Sequence, residues 1–170
     1  MPDITVVQGD RSSTDHAKLP IVIILDRLRS VHNVGNILRL ADAVNAELVA
    51  CCGYTACPPH PKLSKAAMGA EDIVNTAHYE TAREAVLDFK DRGYKIYAVE
   101  TVEQAEVLWD SQFEGSIALV LGNEALGIQE ETLEICDYFL KLPAYGLKNS
   151  INVSNCAAVS LFEVARQLRN

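Results

Sequence analysis

The segment Leu142-Pro143-Ala144-Tyr145-Gly146-Leu147-Lys148-Asn149-Ser150-Ile151-Asn152-Val153-Ser154-Asn155 is a polar, turn-rich run that leads into an apolar closing helix. Four of its residues have short polar side chains that suit helix caps and turns, namely Asn149, Ser150, Asn152 and Asn155. A helix start needs only one such cap. The surplus predicts that this loop serves a functional site and is more than a connection.

The strands predicted before this segment are short, apolar and rich in β-branched residues, which is typical of strands buried on both faces. They fall at residues 21–25, 47–52, within 72–79, 94–100, 116–122 and 138–142. Helical spacing of apolar residues alternates with them, at 36–45, 63–70, 81–93, 102–110, 129–136 and 151–168. This alternation predicts an α/β fold with a mostly parallel sheet and helices on both faces.

The length of 170 residues fits one domain. Residues 1–18 are polar and aperiodic and are expected to form a loose arm, while residues 19–170 are expected to form the domain. No stretch reaches the length of a membrane span, and the N-terminus lacks the apolar core of a signal peptide. The sequence has five cysteines, an odd number. Together with the missing export signal, this favours reduced thiols and a cytoplasmic location.

Two further loops follow predicted strands, where parallel sheets bind their ligands. The first is residues 29–39, in which Asn33 could cap a helix, Gly35 permits close approach of another backbone, and Arg39 follows on about the second turn. The second is residues 121–128, in which Gly122 and Gly127 flank a glutamate and predict a tight turn with exposed amides. Each loop taken alone is also compatible with an ordinary strand–helix connection.

Taken together, the three loops resemble the ordered motifs of the SpoU (TrmH-type) RNA 2′-O-ribose methyltransferases of the SPOUT superfamily. The matching patterns are Asn33-x-Gly35-x-x-x-Arg39, Leu121-Gly122-Asn123-Glu124-x-x-Gly127, and Leu142-Pro143 through Gly146 to Asn149-Ser150-Ile151-Asn152-Val153-Ser154. The resemblance covers about residues 20–170. Each motif is weak alone, whereas three in this order, each after a strand, form a specific signature.

The resemblance implies a C-terminal deep trefoil knot and S-adenosylmethionine as cofactor. It also implies a homodimer whose active site draws on both subunits. The expected substrate is RNA (tRNA or rRNA), with no DNA or membrane partner. The catalytic set that it implies is Asn33, Arg39, Glu124, Ser150 and Asn152. It also implies that the cofactor is held by the backbone near Val99, Glu100, Thr101, Gly122, Leu142 and Ile151. No metal is implied.

A guanidinium is effectively always protonated, so Arg39 is a poor general base. We therefore expect Arg39 to stabilise the developing 2′-alkoxide and to clamp a neighbouring phosphate, with that phosphate or a water taking the proton. In this hypothesis Asn33 and Glu124 orient Arg39 and the ribose.

The net charge of −8 argues against binding of nucleic acid by bulk charge, but the charge is unevenly distributed. Residues 1–40 and 141–170 hold nine Lys or Arg against five Asp or Glu, whereas residues 41–140 hold six against eighteen. Basic ends that meet in a dimer predict a modest affinity for a local RNA target. Lys62 and Lys65 could add phosphate contacts or be merely solvated.

Three alternatives remain open at this stage. Cys51, Cys52, Cys57 and His60 could suggest zinc, but they lack a second ligand pair, and neighbouring strand cysteines face opposite sides of a sheet. A non-catalytic, knotted RNA-binding or assembly protein would share the fold. A small-molecule nucleotide-binding protein is disfavoured because glycine-rich phosphate fingerprints are missing.

Trp109 is expected in the core, and His32 near the first motif could contact substrate.

Overall fold

The computed structural model describes residues 17–169 and shows a parallel sheet flanked by helices. Within these residues the strands are β1 (Leu19–Asp26), β2 (Ala46–Cys52), β3 (Thr76–Tyr79), β4 (Lys95–Val99), β5 (Glu106–Val107), β6 (Ile117–Leu121) and β7 (Tyr138–Lys141). The helices are α1 (Val31–Val44), α2 (Leu63–Ala67), α3 (Ala82–Asp91), α4 (Glu130–Leu133) and α5 (Val153–Leu168). The predicted arm, residues 1–18, lies almost wholly outside the described residues.

The strand order in the sheet is β3-β2-β1-β6-β4-β7-β5, and every neighbouring pair is parallel. The central strand β1 is fully buried from Ile21 to Leu25, as expected for a strand covered on both faces. Alternate residues of this strand belong to different hydrophobic clusters. Ile23 packs in the cluster that contains α1 and α5, and Ile24 packs in the cluster that contains α3. The prediction of a mostly parallel sheet with helices on both faces is confirmed.

The cysteine pair at the end of β2 follows the same alternation. Cys51 is buried on the α1–α5 side, and Cys52 is buried on the α3 side. This confirms that the two thiols face opposite sides of the sheet. No group of three or more potential metal ligands occurs within residues 17–169.

Helix α1 begins earlier than predicted because a different residue caps it. The Ser30 side chain accepts a hydrogen bond from Asn33 N at 3.3 Å, so Ser30 is the N-cap and Asn33 lies in the first turn. The prediction that Asn33 caps this helix was wrong. Gly35 does permit a close approach, since a β-carbon there would lie only 2.4 Å from Ala66 Cβ of α2. In α3 the predicted cap is confirmed, with Thr81 accepting from Glu84 N at 3.1 Å.

The helix predicted at residues 102–110 is absent. Glu106 and Val107 instead form the edge strand β5 beside β7, and a short 3-10 turn follows over Leu108–Asp110. Pairing with a distant strand has overridden the local helical pattern. In this turn Leu108 points into the core, whereas Trp109 is 52% exposed, so the prediction of a core tryptophan was also wrong. Across residues 17–169, no helix combines the length and the apolar character that a membrane crossing requires.

Candidate functional site

A cavity of about 820 Å³ lies at the carboxyl ends of β4, β6 and β7. This is the end of a parallel sheet where ligands are generally bound. Its walls are the loops that follow these three strands. They include all six predicted cofactor residues: Val99, Glu100, Thr101, Gly122, Leu142 and Ile151. Three predicted catalytic residues line the same cavity: Glu124, Ser150 and Asn152.

The loop after β6 forms the tight turn that its glycines predict. Asn123 N donates to Gly127 O at 3.1 Å, and Gly127 N donates to Asn123 O at 2.9 Å. A β-carbon on Gly122 would lie 2.4 Å from the Ile128 nitrogen, so only glycine fits where the two arms of the turn cross. The crossing therefore fixes the shape of the loop that lines the cavity.

The Glu100 side chain ties two walls of the cavity together. Its carboxylate accepts hydrogen bonds from Thr101 N at 2.9 Å and from Ile128 N at 3.1 Å. The resemblance implies only a backbone role for Glu100. The structure shows that the Glu100 side chain also fixes the β4 loop against the β6 loop, because it binds Ile128, 28 residues further along the chain.

The polar centre of the site is a hydrogen-bonded chain of three side chains. Asn33 Nδ2 donates to Glu124 Oε1 at 2.8 Å, and Asn152 Nδ2 donates to Asn33 Oδ1 at 3.2 Å. These bonds bring together the three predicted motifs, although Asn33 itself does not line the cavity. We call Glu124, Asn33 and Asn152 the polar triad.

Backbone groups hold the carboxylate of the triad in place. Ser30 N donates to Glu124 Oε1 and Arg29 N donates to Oε2, each at 3.0 Å. Burial raises the pKa of the Glu124 carboxyl, but the donated hydrogen bonds outweigh this effect and hold the pKa below the ordinary glutamate value. Glu124 is therefore a fixed anion at neutral pH, suited to positioning and not to proton transfer.

Asn152 also begins helix α5. Its Oδ1 accepts hydrogen bonds from Ser154 N at 2.8 Å and from Asn155 N at 3.4 Å. One asparagine thus caps the helix, as the sequence argument requires, which leaves Asn149 and Ser150 free of that task. Both are exposed and line the cavity.

Arg39 lies apart from the triad. It belongs to the exposed stripe of α1 that includes His32 and Asn36, on a different face of the helix from the buried Asn33. Within residues 17–169 its side chain forms no hydrogen bond or ion pair. The structure therefore does not join Arg39 to Asn33 and Glu124 within one chain. The expectation that these two residues orient Arg39 stays a prediction.

One residue of the site was missed by sequence reasoning. Asp26, at the end of β1, is fully buried and accepts hydrogen bonds from Gln129 N at 2.8 Å and from Arg27 Nε at 3.0 Å. It anchors the segment after the β6 turn to the central strand. The signal that could have identified it is a carboxylate that directly follows an uninterrupted buried strand.

The cysteine loop contains a thiol pair. Cys57 is half-buried and lies beside the buried Cys51. The hydrogen bond from Cys51 lowers the pKa of Cys57 to about 6 despite partial burial, with a smaller contribution from Thr76. The same hydrogen bond, together with burial, raises the pKa of Cys51.

The chain is similar to known proteins over the region that contains the three motifs. Residues 20–162 match the model of the SpoU rRNA Methylase family. The chain is 33% identical over 149 residues to a 23S rRNA (guanosine-2′-O-)-methyltransferase RlmB of Ralstonia nicotianae, covering 87% of this chain and 59% of that protein. The chain thus spans about three fifths of the length of this curated relative.

Two solved structures share the fold over most of the chain. The A. aeolicus TrmH/SpoU tRNA modifying enzyme superposes with a TM-score of 0.79 at 26% identity, covering 87% of this chain and 75% of that one. The AdoMet-bound rRNA methyltransferase from Sinorhizobium meliloti superposes with a TM-score of 0.80 at 25% identity, covering 87% and 56%.

Proposed function

The chain belongs to the SpoU rRNA methylase family, and from this premise we propose that it transfers a methyl group from S-adenosylmethionine to a ribose 2′-hydroxyl of tRNA or rRNA in the cytoplasm. The observation that carries the proposal is that one cavity collects all six predicted cofactor residues and borders the polar triad. A cofactor and an acceptor would then meet at the carboxyl edge of the sheet.

The residues of the cavity fit S-adenosylmethionine. Gly122 places no side chain on the cavity wall, while Leu142 and Ile151 offer apolar surface. The carboxylate of Glu124 gives the cavity a negative charge that suits a sulfonium. When bound, the cofactor would supply an electrophilic methyl group that needs orientation and no further activation.

The polar triad would orient the acceptor. Glu124 fixes Asn33, and Asn33 fixes the amide of Asn152, so polar groups of a preorganised chain face the cavity. Placing the ribose in line with the methyl group accounts for much of the rate of such a transfer. Ser150, exposed beside Asn152, can add a hydrogen bond to substrate.

Arg39 would stabilise the developing alkoxide and clamp a phosphate, but only in the site of a second copy. Supporting this is its position on the exposed stripe of α1, away from its own cavity. Helix α5, which packs against α1, exposes Val159 and Phe162, and these apolar side chains suit an interface between copies. We therefore propose a homodimer in which each active site takes Arg39 from the other subunit.

A mixing experiment tests this arrangement. Arg39→Ala and Glu124→Gln homodimers are each expected to be inactive. After joint unfolding and refolding, the mixture should recover about a quarter of wild-type activity, because half of the dimers are mixed and each mixed dimer has one intact site. If both residues act within one chain, the mixture stays inactive, and the shared site is refuted.

We also propose the C-terminal trefoil knot. Supporting it is the strand order, in which β7 lies between β4 and β5, both of which precede it in sequence. Pulling on the two ends of one chain should tighten the knot and give a contour shorter than that of 170 extended residues. Extension to the full contour would overturn this proposal.

The activity itself is tested in two steps. Calorimetry of the wild-type protein with S-adenosylmethionine should show binding at one site per chain. Incubation with methyl-labelled cofactor and unmodified tRNA and rRNA transcripts should then place the label on a ribose, mapped by mass spectrometry. Absence of cofactor binding would refute the proposed function, and label on a base would refute the assigned acceptor.

A further inference from the structure

Tyr54 is an exposed aromatic side chain that is held firmly at the edge of the site. It follows β2 and leaves 58% of its surface open to solvent. Its hydroxyl accepts a hydrogen bond at 2.9 Å from the side-chain amide of Asn123, the residue that precedes Glu124. Because the hydroxyl is bonded to Asn123, the exposed part that is left for a ligand is the aromatic ring.

The partner of Tyr54 is itself fixed. Asn123 is only 4% exposed, and its Nδ2 also donates to Arg27 O at 2.6 Å. Its Oδ1 accepts from Ala125 N at 2.9 Å and from Leu126 N at 3.0 Å. The amide thus uses both of its hydrogens and both lone pairs, which leaves it one arrangement. The position of the Tyr54 hydroxyl is therefore coupled to the turn that carries Glu124.

The loop that carries Tyr54 is anchored next to it. Thr55 is 3% exposed, and its hydroxyl donates to Leu25 O at 3.1 Å and accepts from Leu28 N at 2.9 Å. Gly53 N, on the other side of Tyr54, donates to Tyr79 O at 3.0 Å. The ring is thus held on both sides along the chain, and little conformational freedom remains to be lost on binding.

Two basic residues lie near the loop that carries Tyr54, and one of them, Arg27, is paired with Asp26 at 3.0 Å. Arg27 lies against the loop, since a β-carbon on Gly53 would lie 3.0 Å from Arg27 Cγ. The Arg29 side chain is exposed one step further along the same turn, and its main-chain nitrogen binds Glu124. A flat aromatic face beside cationic side chains is the arrangement by which proteins bind unstacked bases next to a phosphate backbone.

We propose that Tyr54 stacks on a base of the RNA substrate next to the ribose that is methylated, and so helps to select the nucleotide. The inference rests on the proposed function, because it assigns the acceptor strand to the edge of the sheet where Glu124 lies. Stacking uses the ring, whereas the hydroxyl serves only to hold the ring in place.

The matched variants Tyr54→Phe and Tyr54→Leu separate stacking from a structural role. Phe keeps the ring and loses the bond to Asn123, while Leu loses both. With an RNA transcript that the wild-type protein methylates, Leu should raise the KM for RNA about five- to 100-fold, and Phe should stay within about threefold. The Kd for S-adenosylmethionine should be unchanged in both variants, and the thermal midpoint should fall by a similar amount in both, since both lose the bond to Asn123.

The possible failures are distinguishable. An equal rise of the KM for RNA in the Phe and Leu variants would show that Tyr54 acts by holding Asn123 in place, and it would overturn stacking. An unchanged KM in the Leu variant, with wild-type methylation intact, would overturn the inference alone. A wild-type protein that binds no S-adenosylmethionine and methylates neither tRNA nor rRNA transcripts would overturn the proposed function and this inference with it.

Discussion

Replacing Glu124 by Gln is expected to destabilise the protein and to disable the polar triad. The two carboxylate oxygens face three donors: Ser30 N and Asn33 Nδ2 at Oε1, and Arg29 N at Oε2. A glutamine has one oxygen and one NH₂ group. Whichever way the amide turns, at least one of these donors then faces another donor.

The geometry gives the size of the effect. The best orientation of the amide keeps two hydrogen bonds, now to a neutral acceptor, and loses the third. A hydrogen bond to a charged group contributes about 1.5–3 kcal/mol, and solvent access on this surface favours the lower part of that range. We expect a loss of about 1–3 kcal/mol in the free energy of unfolding. For a chain of this size that corresponds to a thermal midpoint about 2–12 °C lower.

The measurement compares the wild type, Glu124→Gln and the control Glu131→Gln, which changes an exposed glutamate of α4. Because the pKa of Glu124 is lowered, its contribution is full above the ordinary glutamate value and is lost as pH falls through the lowered one. The stability gap should therefore be constant at neutral pH and shrink in acid. The reasoning is refuted if Glu124→Gln has the same thermal midpoint as the wild type at pH 7 or retains the proposed methyl transfer.

Three further outcomes are expected. Gly35→Ala should cost about 1–3 kcal/mol in urea unfolding, because the new methyl group would overlap Ala66, whereas Gly146→Ala, with open space around it, should be neutral; equal stabilities would contradict the packing. The rate at which iodoacetamide alkylates Cys57 should increase with pH, with a midpoint near the Cys57 pKa of about 6, and this reaction should be absent in Cys57→Ser. A midpoint near pH 9 would exclude the thiol pair. Thr55→Val should lose about 2 kcal/mol, because its hydroxyl binds two buried main-chain groups; calorimetry that shows no change would count against this.

Local chemistry made part of this fold predictable. The strand at residues 21–25 could be recognised because burial on both faces requires an unbroken apolar run, and Thr81 could be recognised as a cap because its partner is three residues away. The segment 102–110 could not be predicted in the same way. Its strand exists only because β7, more than 30 residues later, offers free backbone groups to pair with.

The site shows the same limit. The order of the motifs predicted that Asn33, Glu124 and Asn152 would meet, but spacing along the chain says nothing about which atoms bond. The Arg39 side chain illustrates this, since helical geometry turns it away from the residues that share its motif. Tyr54 was hidden for another reason: its partner is 69 positions away, and a tyrosine in a glycine- and proline-rich loop has no periodic signal.

The span of the polar triad has a consequence for synthesis of the protein. Its bonds connect residues 91 and 119 positions apart, and the last of them waits for Asn152, close to the end of the chain. A nascent chain that emerges from the ribosome can build β1 and α1 early, but it has no complete cavity until the last helix has left the exit tunnel. Products truncated before Asn152 would therefore lack the complete polar triad.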